Sequence, residues 1–152
     1  MAFRTNKISL TDQSACTVFR GLSNQIVPRL TSTVVQLNVE EFDQDNEFDN
    51  AVNYEFKAKT AGLYLICWSV GFQPTLTPDK KFLTWLQFSG NARTPMAMLH
   101  SSHNDYMGAG GAVVWSLSVD ETVKLICYHN CLASIALDWA NGLTYMSVYK
   151  LG

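Results

Sequence analysis

Residues 63–72, LYLICWSVGF, decide the fold of this chain, because nearly every side chain in them is apolar. A β-strand with one face in water alternates polar and apolar residues. This segment therefore predicts a strand with both faces covered by protein. Few segments of the chain have a helical pattern, so we expect the second face to be covered by another sheet or another subunit.

Short β-rich segments flank this strand on both sides and extend the prediction to an all-β chain. Sustained helical periodicity is absent from the sequence, and turn residues such as Asp120-Glu121, a predicted hairpin turn, and Asn141-Gly142 separate the segments. About eight to ten strands at this spacing are typical of an antiparallel two-sheet sandwich or jelly roll. The β-rich segments from which we expect those strands cover residues 17–20, 26–27, 33–39, 53–59, 63–72, 82–88, 96–99, 112–119, 122–129, 134–139 and 143–151.

Length and composition indicate one domain with a surface that is poor in charge. The 152 residues suit a single core, with residues 1–14 as an N-terminal arm and residues 15–152 as the domain. Only 16% of the residues are charged, against about 25% in average proteins, which suits a surface partly covered by partners. A net charge of −2 argues against nucleic-acid binding, and no apolar run is long enough for membrane insertion.

The four cysteines, Cys16, Cys67, Cys127 and Cys131, are too few and too scattered for a disulfide scaffold. Cys67 and Cys127 lie in apolar strand patterns, where a thiol usually behaves as a small buried hydrophobe. We expect all four to be reduced after synthesis in a cytoplasm. A bridge between Cys127 and Cys131 across a tight turn stays open as the alternative.

The order of landmarks resembles the C1q-like branch of the jelly-roll superfamily that also contains the tumour necrosis factors. Phe56, Gly62 and Tyr64 match the F-x(n)-G-x-Y element of that family. Residues 114–125 are similar to its L-x-L-x-x-G-D-x-V-x-L hairpin, with Asp120 where glycine is usual, and residues 145–151 are similar to its final strand. More narrowly, residues 24–28 and 41–46 resemble C1q-like domains of bacteriophage and bacterial surface proteins.

This resemblance implies a compact homotrimer with its inner sheets packed around a threefold axis. The aromatic content supports it, because large apolar rings in excess of one small core typically fill subunit interfaces. The alternative is a monomer with an aromatic-rich core. The residues expected in the trimer interface or core are Tyr64, Trp68, Phe72, Trp85, Trp115 and Tyr149.

Three segments carry possible metal ligands. In the acidic segment 40–49, predicted as a loop, Asp43, Asp45 and Glu47 lie at alternate positions and offer hard oxygen ligands for calcium. The alternative is that these side chains cap turns. His100 with His103, and Cys127 and Cys131 flanking His129, offer soft zinc ligands, but neither set has the paired spacing of a structural site. Loop histidines and buried thiols are the favoured interpretation there, and no cofactor is expected.

The sequence carries no motif of an enzyme. It has no nucleophile elbow, no phosphate-binding loop and no zinc-protease helix, and residues 108–111, GAGG, are interpreted as a mobile or tightly turned loop. Residues 75–81 and 100–110 are polar segments between strong strands, where ligand contacts are common. The candidate ligand residues in them are Thr75, Asp79, Lys80, His100, His103, Asp105 and Tyr106.

From the resemblance we expect a non-enzymatic virion structural protein, either a trimeric bacteriophage capsid decoration protein or a receptor-binding head. Such a protein is synthesised in the host cytoplasm and ends in the extracellular particle. Its partners are capsid or tail proteins and a host surface glycan or protein. The alternative is a bacterial surface or secreted C1q-like adhesin that binds carbohydrate or protein.

Overall fold

A computed structural model of the chain describes residues 14–74, 79–89, 95–101, 105–140 and 142–151. These residues form thirteen β-strands and contain no helix that is long and apolar enough to cross a membrane. The strands are β1 Ala15–Phe19, β2 Ile26–Val27, β3 Thr33–Val34, β4 Val39–Asp43, β5 Phe48–Asp49, β6 Glu55–Lys57, β7 Gly62–Phe72, β8 Lys81–Phe88, β9 Met96–His100, β10 Met107–Leu117, β11 Thr122–His129, β12 Ile135–Ala136 and β13 Tyr145–Lys150.

The strands form two large antiparallel sheets and one small one. The five-stranded sheet has the order β10-β7-β13-β1-β4. The second large sheet has the order β5-β6-β11-β8-β9, and β3 pairs with β11 as its sixth strand. Strands β2 and β12 pair with each other. This architecture confirms the predicted antiparallel two-sheet sandwich.

The hydrophobic core lies between the two large sheets. Strand β7 buries Tyr64, Ile66, Trp68 and Val70 on its inner face, since successive side chains of a strand point to opposite sides. The ring of Tyr64 meets the ring of Phe56 on β6 edge to face, with centroids 5.7 Å apart. The aromatic residues of the F-x(n)-G-x-Y element therefore meet across the sandwich.

The glycine segment 108–111 is part of a strand, so its interpretation as a loop was wrong. Strand β10 begins at Met107 and pairs with β7 along its whole length. A Cβ at Gly110 would lie 2.1 Å from the carbonyl oxygen of Trp68, and one at Gly111 would lie 3.0 Å from Cη2 of the Trp68 ring. The glycines are needed because the backbone of β7 and the indole of Trp68 occupy that space.

Two local predictions were also wrong. Residues 118–121 join β10 in the five-stranded sheet to β11 in the other sheet, so they are a crossover between sheets and not a hairpin turn. Asp120 has φ of 67°, the left-handed conformation in which glycine is usual. The acidic segment is a loop only in part, because its first half belongs to β4, which pairs with β1.

The two ends of the sandwich differ in what they carry. Strand β1 begins and β13 ends at one end, where Ser14 is buried against Glu47. We call the opposite end the distal end; it carries residues 20–25, 79–80 and 130–140. Of the predicted N-terminal arm, only Ser14 belongs to the described residues.

Candidate functional site

The outward side of the five-stranded sheet carries the apolar surface that stands out most on the molecule. We call it the aromatic face. It arises because alternate residues of five neighbouring strands point away from the core, and in this chain many of those residues are also apolar. Leu63 and Val114 are each 51% exposed, although a core lies directly behind them. The large side chains of the aromatic face are Phe19, Phe42, Leu63, Leu65, Val114, Tyr145 and Tyr149.

Ring pairs order one half of the aromatic face. The rings of Phe42 and Tyr149 lie 6.2 Å apart, and those of Phe19 and Tyr145 lie 6.0 Å apart. Between them the Thr17 hydroxyl donates a hydrogen bond of 3.0 Å to Ser147 Oγ. The rings are thus held by neighbours, so less side-chain conformational entropy is lost when a partner binds there.

A second protein surface is the natural cover for this face. Soluble monomers seldom expose a continuous apolar patch of this kind, and patches rimmed by polar residues mark interaction sites. The doubly apolar pattern of β7 predicted that both of its faces would be covered. Within one protomer the core covers only the inner face, and Leu65 and Cys67 on the other are half-buried.

The structure places the six predicted aromatics in three different environments. Tyr64, Trp68 and Phe72 are buried in the core, which is one of the two predicted locations. Trp115 is half-buried and stacks on Phe88 of the opposite sheet, with centroids 4.7 Å apart. These four rings are sheltered by their own protomer and give no support to an interface.

Of the six, only Tyr149 lies on the aromatic face. Trp85 is half-buried on the outward side of the other sheet, away from both the core and the aromatic face. Sequence reasoning missed Phe19, Phe42 and Tyr145. The signal that locates two of them is the alternation of faces along a strand, since Phe19 and Tyr145 are register partners and each is adjacent to a buried residue of its strand, Val18 or Met146.

The acidic segment is organised by backbone donors. Asp43 accepts the backbone N–H groups of Glu47 at 3.0 Å and Phe48 at 2.7 Å. Glu47 is buried and accepts the hydroxyl of Ser14 and the backbone N–H of Lys59. These contacts are those of the turn-capping alternative.

The same contacts leave the calcium hypothesis without geometric support. Each carboxylate oxygen of Asp43 and Glu47 already faces a donor hydrogen. The backbone carbonyl of Asp45 accepts the ammonium of Lys59, a positive charge beside the proposed ligands. Within the described residues, no three His, Cys, Asp or Glu side chains come together as a metal site would require.

His129 and its neighbouring cysteines form a structural cluster. The His129 ring is fully buried, its Nε2 lies 2.9 Å from the Val27 carbonyl, and its Nδ1 accepts the Cys131 backbone N–H at 3.2 Å. Both ring nitrogens are therefore used by the backbone. All four cysteines are free thiols, and burial raises the pKa of the Cys127 thiol to about 12.

The two predicted ligand loops meet at the distal end. Asp79 donates its backbone N–H to the Ser101 carbonyl, and Ser101 donates to the Lys80 carbonyl, at 2.8 and 2.9 Å. His100 belongs to β9 and pairs with Lys81, while Asp105 and Tyr106 are exposed. Thr75 and His103 lie outside the described residues.

A cavity of about 550 Å³ also opens at the distal end, between β2, β12 and the segment before β12. Ile26 and Leu132 form exposed apolar parts of its wall, and the amides of Asn24 and Gln73 hydrogen-bond to each other at 3.1 Å. Among the residues that the structure describes, no charged side chain lines it. Its mixed lining is compatible with a loop of a partner protein as well as with a small neutral ligand.

Comparison with known proteins locates the chain by fold. No protein-family model and no curated protein sequence matches it. Among solved structures, murine APRIL is 13% identical, with a TM-score of 0.69 over 91% of this chain and 99% of that one. The globular domain of zebrafish complement 1qA has the same identity and TM-score over 91% and 98%. Eiger TNF from S. frugiperda is 7% identical, with a TM-score of 0.67 over 92% and 93%.

Proposed function

We propose that this C1q/TNF-like jelly-roll domain is a non-enzymatic structural protein that works as a homotrimer. The observation that carries the proposal is the aromatic face, which one protomer leaves in contact with water. Covering its exposed apolar area gives about 25 cal/mol for each Å² removed from water, and this is the driving force for association. Several copies of the chain supply that cover without any other partner.

The number three comes from the fold. The resemblance to the C1q and tumour necrosis factor superfamily implies packing around a threefold axis. A cyclic trimer needs two different patches on each protomer, because its contacts are heterologous and close after three steps. In this proposal the half of the aromatic face on β13, β1 and β4 is one patch, and the half on the edge strand β10 is the other. Val114 on β10 is apolar and half-exposed, as a residue near such a joint would be.

We further propose that the trimer belongs to a virus particle, as a capsid decoration protein or a receptor-binding head. Support comes from residues 24–28 and 41–46, which are similar to C1q-like domains of bacteriophage and bacterial surface proteins. In the decoration role the trimer occupies threefold points of the shell and contacts neighbouring capsomers. In the receptor-binding role the loops of the distal end contact a host glycan or protein.

A binding experiment with empty capsids tests the particle role. Purified protein is mixed with capsids that lack it, and the complexes are imaged by electron cryomicroscopy. Added density at threefold or quasi-threefold positions supports decoration. Absence of binding to capsids and tails, together with retention on bacterial cells, favours the alternative of a surface adhesin. The trimer itself is tested separately by its mass in solution.

A further inference from the structure

A small polar pocket lies on the outward side of the six-stranded sheet, on the opposite side of the sandwich from the aromatic face. Its volume is about 270 Å³. Side chains from four strands and a turn converge on it, so it is built by the sheet itself and not by a flexible loop. Its lining residues are Val34, Glu55, Gln87, Ser89, Thr122 and Lys124.

Strand register places these residues next to Trp85. Lys124 on β11 pairs with Gln87 on one side and with Glu55 on the other. One row along the sheet, Ile126 pairs with both Trp85 and Val34. Trp85 and Gln87 share a face of β8, and rows two residues apart are separated by about 7 Å. The half-buried indole is not one of the lining residues and lies one row from Gln87, which is one.

The pocket offers both donors and acceptors but no net charge. Lys124 and Glu55 form a salt bridge of 3.3 Å, with side chains 31% and 18% exposed, so the two charges compensate each other. Gln87 is exposed and presents its amide. Ser89 Oγ accepts the Thr122 backbone N–H at 2.9 Å, which leaves the hydroxyl hydrogen free to donate.

We propose that this pocket binds one neutral pyranose ring of a glycan, with the Trp85 indole against the C–H face of the sugar. The chemistry of the site matches that ligand at each point. An indole provides an apolar platform with a polar edge. The amide, hydroxyl and paired charged groups satisfy sugar hydroxyls, which both donate and accept. The proposal rests on the receptor-binding role proposed above, and to the loops of the distal end it adds a ligand class and a second site, on the outward side of the six-stranded sheet.

The paired charges of Glu55 and Lys124 favour a neutral sugar over charged and purely apolar ligands. A sialic acid or uronic acid would have to compete with Glu55 for Lys124, and a cationic ligand would have to compete with Lys124 for Glu55. A purely apolar peptide side chain would leave the Glu55–Lys124 pair without the hydration it now has. A neutral sugar avoids all three costs.

Fluorine NMR of protein labelled with 5-fluorotryptophan tests the assignment. Methyl glycosides of glucose, galactose, mannose, N-acetylglucosamine and fucose are titrated separately to about 50 mM, which detects Kd values in the millimolar range typical of single sugars. The Trp85 resonance is assigned by its loss in Trp85→Phe. We expect at least one glycoside to shift it saturably while the Trp68 and Trp139 resonances stay in place.

Variants then test the pocket. Gln87→Ala removes an exposed amide and preserves the fold, and we expect it to weaken the sugar about fivefold or more. Trp139→Ala removes an exposed tryptophan outside the pocket, 42% accessible, and serves as the control with unchanged affinity. No saturable shift with any of the five glycosides, or a shift that Gln87→Ala leaves intact, would overturn the proposal. The mass of the protein in the same samples reports trimerisation independently.

Discussion

The ring of Tyr149 lies 6.2 Å from the ring of Phe42, so that two aromatics from β13 and β4 bridge over β1 on the aromatic face. Thr17 lies between them, is 8% exposed, and places its hydroxyl 3.3 Å from the Tyr149 hydroxyl. Phe42 and Tyr149 themselves remain 41% and 38% exposed. A partner surface that packs against these two rings gains ordered apolar contacts. We therefore assign the subunit interface to this face.

Tyr149→Asp is expected to convert the trimer into folded monomers. The substitution places a carboxylate at the centre of the proposed interface, where burial without a partner is costly. In the protomer the same carboxylate faces water, so the fold persists. Light scattering is expected to give the 17.0 kDa of one chain with an unchanged β-sheet circular dichroism spectrum.

Val52→Asp is the matched control for that experiment. Val52 is 77% exposed in the turn before β6, away from the aromatic face. It introduces the same charge at an apolar surface position, and the trimer mass is expected to persist. If both variants or neither of them dissociate, the aromatic face is not the interface.

The thiol of Cys67 reports on the same face. Cys67 is half-buried on the outward side of β7, whereas Cys16 and Cys127 are buried and have pKa values raised by desolvation. In the trimer we expect slow reaction of all cysteines with a thiol reagent. In Tyr149→Asp, one fast-reacting thiol is expected, and its loss in the double variant with Cys67→Ser identifies it. Equal reactivity of Cys67 in both states contradicts the assignment.

Gly110→Ala is expected to destabilise the fold by about 1–3 kcal/mol. Its Cβ would lie 2.1 Å from the Trp68 carbonyl oxygen, so β10 must shift away from β7. Gly108→Ala is the control, since a Cβ there would lie 3.7 Å from Ser69 Oγ, an ordinary contact. Urea denaturation followed by fluorescence measures both variants, and equal midpoints would show that the close approach of the two strands is not needed.

Trp68→Ala is expected to cost about 3–5 kcal/mol of folding stability and to act through the core. The indole is 3% exposed and donates to Thr84 Oγ1 at 3.1 Å. The folded fraction at low denaturant should therefore fall, while the folded molecules remain trimeric. Dissociation into stable monomers without a loss of protomer stability would place Trp68 in the interface instead.

Asp49 is expected to make stability acid-sensitive. It accepts backbone N–H groups from Ala51, Val52 and Asn53, which lower the pKa of its carboxyl from 3.8 to about 2. Because the folded-state pKa is the lower one, the stabilisation is present above pH 3.8 and is lost as the pH falls towards 2.

The test compares wild-type protein with Asp49→Ala by urea denaturation at several pH values. The difference in midpoint should be largest near neutral pH and should shrink between pH 3.8 and about 2. A difference that does not change with pH would mean that the carboxylate charge contributes nothing to the turn.

The sequence predicts the strands well where pattern alone decides them. The doubly apolar segment around Trp68 is a central strand, and Phe56, Gly62 and Tyr64 occupy the positions that the resemblance implied. The glycine-rich start of β10 is a strand that its sequence pattern does not predict. Its extended conformation is imposed by pairing with β7, which overrides the low intrinsic preference of glycine for strands.

The candidate site was predicted only in part. The assignment of Tyr149 to an interface stays a prediction, although its ring lies on the aromatic face. Trp85 and Trp115 both lie in apolar strand patterns in the sequence, but only one of them faces the core. Trp115 faces the core and stacks on Phe88, while Trp85 faces outward. Which face of a strand meets the core depends on register with distant strands, and residue type alone does not fix it.

The mass of the wild-type protein in solution tests the central claim most directly. We expect size-exclusion chromatography with multi-angle light scattering to give three times the 17.0 kDa of one chain, constant over a wide range of concentration. A stable species with the mass of a single chain, soluble with its aromatic face open to water, would contradict the account.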